Sequence, residues 1–170
     1  KNWRVRRFED SRLYAITDFA KWTENELKRI EEACRGGADV IQLRSKTLDR
    51  KALKIAGRQI RNITSRWNVL LIVNDFPDVA RDIEADGVHL GQEDMNIEQA
   101  RFMLQCEELL IGKSTHSLEQ AFAAEKEGAD YIGVGPIYST PTKPDYPPVG
   151  VDLIQKVKGR VRVPYVAIGG

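Results

Sequence analysis

Gly128-Ala129-Asp130-Tyr131-Ile132-Gly133-Val134 decides the fold, because its opening recurs along the chain. Gly37-Ala38-Asp39 precedes Val-Ile-Gln-Leu, and Glu84-Ala85-Asp86-Gly87 precedes Val-His-Leu. The three aspartates lie 47 and 44 positions apart, the length of about two strand–helix units. Glycine stops a helix naturally, and the small Ala-Asp pair turns tightly into the next strand. These turns therefore mark the N-terminal ends of strands. In a (β/α) barrel that end supports stability and the opposite end carries chemistry. Asp39, Asp86 and Asp130 are read as structural.

Outward from these turns, apolar and β-branched runs predict strands at Leu13–Ile16, Val40–Leu43, Val69–Val73, Gly87–Leu90, Leu109–Ile111, Tyr131–Val134 and Tyr165–Ile168. Helical spacing predicts helices at Glu24–Arg35, Leu48–Arg66, Pro77–Ile83, Ile97–Cys106, Leu118–Glu127 and Val151–Val157. Strict alternation of the two, with short and nearly continuously apolar strands, means a buried parallel sheet. An open doubly wound sheet is the rival. It normally carries a G-x-G-x-x-G fingerprint after its first strand, and none stands there. The expected class is an α/β (β/α)8 TIM barrel formed by residues 1–170 as one domain. Its last βα unit is missing from this chain, a shortfall of about 40 residues.

Composition sets the outer limits. The chain has 170 residues, 42% apolar and 30% charged, with a formal net charge of +1. This describes a globular protein with a real core. It gives no electrostatic reason to expect nucleic acid or an anionic membrane as a partner. No apolar run approaches the ~20 residues that span a bilayer, and no signal peptide is visible. The first residue is Lys rather than Met, so N-terminal residues are expected to be missing or removed. Cys34 and Cys106 lack metal or redox spacing and read as reduced thiols. A cytoplasmic location follows as an expectation. The sequence leaves assembly into a homo-oligomer open.

Barrel chemistry gathers at the C-terminal strand ends, and here nearly every one is polar. Strand 1 is followed by Thr17 and Asp18. Gln42, Arg44 and Lys46 alternate on strand 2 and face one way while the strand lasts. Arg offers a bidentate fork and Lys a point charge, which together suit a diphosphate. Asn74-Asp75 ends strand 3, and Gly91-Gln92-Glu93-Asp94 follows strand 4. Each alone reads as a turn or an N-cap loop. Together, Asp75 and Asp94 suit one Mg2+, which takes few carboxylates and borrows phosphate oxygens. No His/Cys cluster has zinc spacing.

Strand 5 supplies Lys113, Ser114, Thr115 and His116. Ser114 is placed to hydrogen-bond a phosphate rather than to act as a nucleophile. His89, inside a strand, reads as a satisfied structural histidine, while His116 reads equally as a general base or a structural group. The loop after strand 6 offers Thr140, Thr142 and Lys143, with backbone N–H groups, to one phosphate-sized volume. Gly169-Gly170 would let the backbone approach a ligand closely.

Read in order, six motifs resemble the thiamine-phosphate synthase family. They are Gln42-Leu-Arg-Ser-Lys46, Asn74-Asp75, Gly87-Val-His-Leu-Gly-Gln-Glu-Asp94, Ser114-Thr-His116, Gly133-Val-Gly-Pro-Ile-Tyr-Ser-Thr-Pro-Thr-Lys143 and Ala167-Ile-Gly-Gly170. The resemblance implies a (β/α)8 barrel that joins hydroxymethylpyrimidine diphosphate to thiazole phosphate, forming thiamine phosphate and diphosphate. By position it implies that Gln42, Arg44, Lys46, Asn74, Ser114 and Lys143 hold the pyrimidine diphosphate. Arg44, Lys46 and Lys143 would stabilise the departing group. It implies Mg2+ on Asp75 and Asp94, and the thiazole phosphate on Thr140, Thr142 and Gly170. Ser45 departs from the pattern, since the family usually has Glu there. Two rivals stand beside this expectation: a thiazole tautomerase-like paralogue working by acid–base chemistry, and a non-catalytic phosphate-binding barrel.

Overall fold

A computed structural model of the chain describes residues 3–140 and 147–169. Its elements alternate along nearly the whole chain. They are α1 (Trp3–Glu9), β1 (Tyr14–Ile16), α2 (Glu24–Arg35), β2 (Val40–Leu43), α3 (Arg50–Trp67), β3 (Leu70–Asn74), α4 (Pro77–Asp82), β4 (Gly87–Leu90), α5 (Ile97–Leu104), β5 (Leu110–Thr115), α6 (Leu118–Glu127), β6 (Tyr131–Val134), α7 (Gly150–Val157) and β7 (Tyr165–Ala167). The strands form one sheet in chain order, from β1 to β7. A doubly wound sheet reverses its order at a switch point, and this sheet does not. The class is a parallel (β/α) barrel lacking its last unit.

Contacts gather into two compact units: residues up to Val88 with Arg101–Leu110, and His89–Ala100 with the residues from Ile111 onward. In the first, β1–β2–β3 are parallel, with Tyr14 opposite Val40 and Leu43 opposite Val73. All four residues of β2 are buried. Helix α3 covers this sheet with Leu53, Ala56, Gly57, Ile60, Ile63 and Thr64, a stripe at helical spacing. Each large apolar side chain buried in this way contributes roughly 1.5–3 kcal/mol. Asp49 caps the start of α3 by accepting from Ala52 N–H at 2.8 Å, and Asn68 ends it in the left-handed conformation. In the second unit, β5–β6–β7 are parallel, with Ser114 opposite Gly133 and Val134 opposite Ala167.

The recurring aspartates explain themselves as clasps. Asp86 donates its N–H to Leu71 O at 2.7 Å and accepts Leu71 N–H on its carboxylate at 2.9 Å. Asp130 does the same with Ile111, at 2.8 and 2.7 Å. Asp39 repeats it with Leu13, at 2.9 and 3.1 Å, and also accepts from Arg12 N–H at 2.8 Å. Each turn thus grips the start of the preceding strand through both its backbone and its side chain. The structural reading of all three residues holds.

Burial acts to raise the Asp39 pKa, but hydrogen bonds from Arg12 and Leu13 N–H and the charges of Arg7 and Arg12 outweigh it. The carboxyl is held below its ordinary value of 3.8. Its contribution to stability is therefore complete above that value and is lost as pH falls through the depressed folded one. In an acid-unfolding titration below pH ~4, Asp39→Asn is expected to flatten the loss of stability relative to the unaltered chain.

Most bounds shift by a residue or two, and three elements depart further from expectation or bear on the site. Helix α1 was not expected. It has three arginines and one buried side chain, Phe8, so it carries almost no amphipathic signal. Tertiary contacts hold it: Arg4 Nε lies 3.1 Å from Asp86 Oδ1, and Phe8 packs edge-on against Tyr14 at 6.2 Å. Strand β5 runs on through Thr115 instead of stopping at Ile111. Helix α5 ends at Leu104, two residues before Cys106, because Gln105 turns to φ 53°. Both cysteines are free. Burial, together with the Glu31 carboxylate, pushes the Cys34 thiol above its ordinary value, as suits an inert core residue.

Candidate active site

In the first unit the polar strand ends are tightly built. Gln42 is buried and donates from Nε2 to Tyr14 Oη at 2.8 Å. Just past the β2 end, Arg44 N–H donates to Thr17 Oγ1 at 2.8 Å, and that hydroxyl donates back to Arg44 O at 2.9 Å. The Arg44 guanidinium lies 2.9 Å from Asp18 Oδ1 and is only 12% exposed. That nitrogen lies out of line with the carboxylate and has no aligned hydrogen bond. Lys46 is exposed on the following turn. Leu43 pairs with Val73, so Arg44 and Asn74 are the next residues on two neighbouring strands. The strand-2 and strand-3 expectations are thus brought together.

Ser45, the departure from the resembled pattern, has a defined task. Its hydroxyl donates to Phe19 O at 2.8 Å and accepts from Thr47 N–H at 3.3 Å and Leu48 N–H at 3.2 Å. Thr47 Oγ1 donates to Ala20 O at 2.7 Å. The pair ties the loop after β2 to the loop after β1. A carboxylate at position 45 could not donate the first of these bonds.

Asp75 carries a feature that the sequence did not disclose. Its φ is 64°, and Phe76 N–H donates to Asn74 O at 2.9 Å across it. This is a γ-turn centred on a non-glycine residue with positive φ, a strained conformation costing on the order of 1–3 kcal/mol. Arg50 braces the turn from α3: its guanidinium sits 4.9 Å from the centroid of the Phe76 ring and 2.6 Å from Asp78 Oδ2. Strain of this kind, held by its surroundings, clusters where a side chain must point in one direction.

In the second unit, Asp94 is exposed and its Oδ2 accepts Gly91 N–H at 2.5 Å. This bond closes the loop on itself; the side chain that caps α5 is Asn96, whose Oδ1 accepts Gln99 N–H at 2.8 Å, so Asp94 precedes the cap without forming it. Ser114 lies inside β5, not beyond it. Its carbonyl accepts from Gln92 Nε2 at 2.5 Å, and its hydroxyl meets His89 Nε2 at 2.9 Å. His89 is buried, and its other ring nitrogen meets Tyr131 Oη at 3.0 Å. The reading of His89 as a satisfied histidine holds. Lys113 is buried and by strand alternation faces away from Ser114. His116 Nδ1–H donates to Gly135 O, and its backbone N–H donates to Gln120 Oε1 at 2.7 Å.

The loop after β6 is stitched to the end of β7. Ile137 N–H donates to Ile168 O at 2.8 Å, and Tyr138 N–H to Gly169 O at 3.1 Å. These bonds set Ile137 and Tyr138, which lead toward Thr140, against the residues that follow β7. Thr142, Lys143 and Gly170 lie outside the described residues. Gly169 has φ 96°, and a Cβ there would stand 2.7 Å from Pro136 Cβ. Gly169→Ala is therefore expected to cost about 1–3 kcal/mol, read as a lowered melting temperature.

Among the described residues no three His, Cys, Asp or Glu side chains gather into a metal-binding group, and no helix is long and apolar enough to cross a membrane. The family profile for thiamine monophosphate synthase matches residues 13–170.

The chain belongs to the thiamine monophosphate synthase family.

Relatives within that family are near. The thiamine-phosphate synthase of Shouchella clausii is 45% identical over 161 residues, covering 94% of this chain and 77% of the relative. That of Halalkalibacterium halodurans is 44% identical over 163 residues, with 95% and 77% covered. The solved thiamine phosphate pyrophosphorylase from Pyrococcus furiosus superposes with a TM-score of 0.85 at 38% identity, covering 96% of this chain and 77% of that one. The family's sequence resemblance and its fold thus agree over nearly all of this chain.

Proposed function

We propose that this protein condenses hydroxymethylpyrimidine diphosphate with thiazole phosphate to give thiamine phosphate and diphosphate. The family match across residues 13–170 carries the reading. The C–O bond between the pyrimidine methylene and the diphosphate breaks, and the diphosphate keeps the electron pair. The thiazole nitrogen then forms the new C–N bond. No protein nucleophile is needed. What the protein must supply is stabilisation of the leaving group and orientation of the attacking ring.

In this reading Arg44, Lys46 and Lys143 neutralise the departing diphosphate, and Gln42, Asn74 and Ser114 hydrogen-bond it. Thr140, Thr142 and Gly170 anchor the thiazole phosphate. Asp75 and Asp94 are assigned to Mg2+. Two aspartates that follow strands, one of them exposed, fit a hard cation that keeps waters and shares substrate oxygens, and do not fit zinc. When bound, Mg2+ supplies further charge neutralisation at the diphosphate. The already ordered Arg44 main chain and the braced turn at Asp75 support these roles, because a preorganised group loses little on binding.

The decisive assay incubates the full chain with both substrates and Mg2+ and measures thiamine phosphate and diphosphate together. Both products are expected in equal amounts, with roughly 100-fold less when the metal is chelated. Absence of thiamine phosphate would overturn the reading. His116→Ala separates the tautomerase alternative. With Nδ1–H committed to Gly135 O, its loss is expected to lower synthase activity less than about tenfold; abolished turnover would favour acid–base chemistry instead.

A further inference from the structure

Tyr131 is the largest fully buried side chain in β6, with 0% exposure, and it puts a hydroxyl inside the protein. Two glycines make room for it and its partner. A Cβ on Gly112 would stand 2.1 Å from Tyr131 Cζ, and a Cβ on Gly133 would stand 3.3 Å from His89 Cε1. The chain thus clears space on β5 and β6 for a Tyr–His pair that ends at Ser114, with 3.0 Å from Tyr131 Oη to His89 Nδ1 and 2.9 Å from His89 Nε2 to Ser114 Oγ. Apolar packing alone would not require this arrangement.

The direction of the protons along this line decides what Ser114 can do. If Nδ1 carried the proton, Nε2 would accept the Ser114 O–H, and the hydroxyl would offer only lone pairs to its surroundings. If Tyr131 donates to Nδ1, then Nε2–H donates to Ser114 Oγ, and the Ser114 proton is left to donate outward. Only the second arrangement suits an anion. We infer that Tyr131 and His89 are positioning residues that fix the His89 tautomer so that the Ser114 hydroxyl is a donor to the substrate's diphosphate. This rests on the assignment of Ser114 to the diphosphate under the proposed function.

The test uses the full chain and inorganic diphosphate as a competitive probe. Ser114→Ala is expected to raise its inhibition constant about tenfold. Tyr131→Phe, which removes only a hydroxyl, is expected to raise it about fivefold alone and not at all in the Ser114→Ala background, because it acts through Ser114. His89→Leu, which leaves the Ser114 hydroxyl unoriented, should raise it about fivefold and add nothing in the Ser114→Ala background, and His89→Gln, which restores an N–H near the Nε2 position, should recover to within about threefold. Nitrogen NMR of the imidazoles, simplified by there being two histidines, should show His89 protonated at Nε2. Independent effects of Tyr131→Phe and Ser114→Ala, or a proton on Nδ1 alone, would overturn the inference while leaving the Ser114 assignment standing. A Ser114→Ala variant that binds diphosphate normally would remove that assignment and the inference with it.

Discussion

Replacing Asp75 by glycine is expected to relieve the backbone strain at this position while synthase activity falls roughly 100-fold or more. The two halves of this result have separate causes. Asp75 sits at φ 64° in a γ-turn. A left-handed conformation costs an L-residue about 1–2 kcal/mol, and glycine escapes that. Glycine returns about 0.5–1 kcal/mol through the extra freedom of its unfolded chain. On the backbone alone the difference is small and favours the variant or is near zero. The activity loss follows from removing a carboxylate assigned to Mg2+. Asp75→Asn separates charge from backbone, since asparagine tolerates positive φ about as well as aspartate. It should keep the turn and lose the activity. A glycine variant that turns over normally would remove Asp75 from the metal site.

The largest loss of stability is expected at Asp86. This carboxylate is 2% exposed and takes Arg4 Nε at 3.1 Å, Arg61 at 2.6 Å and Leu71 N–H at 2.9 Å. Asp86→Ala leaves a buried N–H without its acceptor and two arginines without their anion. Removing one partner of a buried charged network costs about 3–5 kcal/mol. The two arginines are 16% and 25% exposed, so they recover some hydration, and about 3 kcal/mol is the better figure. For a chain of this length that lowers the melting temperature by roughly 6–12 °C. The folded fraction should retain normal kcat/KM, because Asp86 stands at the N-terminal strand ends and Asp75 at the C-terminal end of β3. Asp39→Ala should cost less, its carboxylate being 24% exposed. If catalysis fell in step with stability in every Asp86 variant, the separation of the two ends would be wrong.

Much of this was legible in the sequence because the strands carry their own burial. Val40–Leu43 and Gly87–Leu90 are continuously apolar apart from Gln42 and His89, and both strands were placed to the residue. Helices α2 and α6 were legible from their helical spacing, and in the structure Thr23 and Ser117 cap them while Gly36 and Gly128 follow them. Helix α1 was not legible, because its reason lies in Asp86, far along the chain. The end of β5 was missed for a related cause. Lys113, Ser114 and Thr115 look like a loop until His89 is seen bonded to Ser114 and Gly133 O to the Thr115 hydroxyl at 2.9 Å. At the site, residue types pointed to phosphate chemistry. The strain at Asp75, the loop tie made by Ser45 and the direction of the Tyr131–His89–Ser114 line are matters of angle and distance, which side-chain identity does not encode.

The aspartate clasps bear on how the chain can be assembled during synthesis. Each joins residues close in sequence: Asp39 with Leu13 across 26 positions, Asp86 with Leu71 across 15, and Asp130 with Ile111 across 19. Closing loops of that size costs little chain entropy, and contacts of short sequence separation favour fast folding. A growing polypeptide need only release one strand pair for its clasp to close, without waiting for the strands that follow. The protein can therefore be built up in order from its N-terminus, each finished pair offering a paired edge to the next.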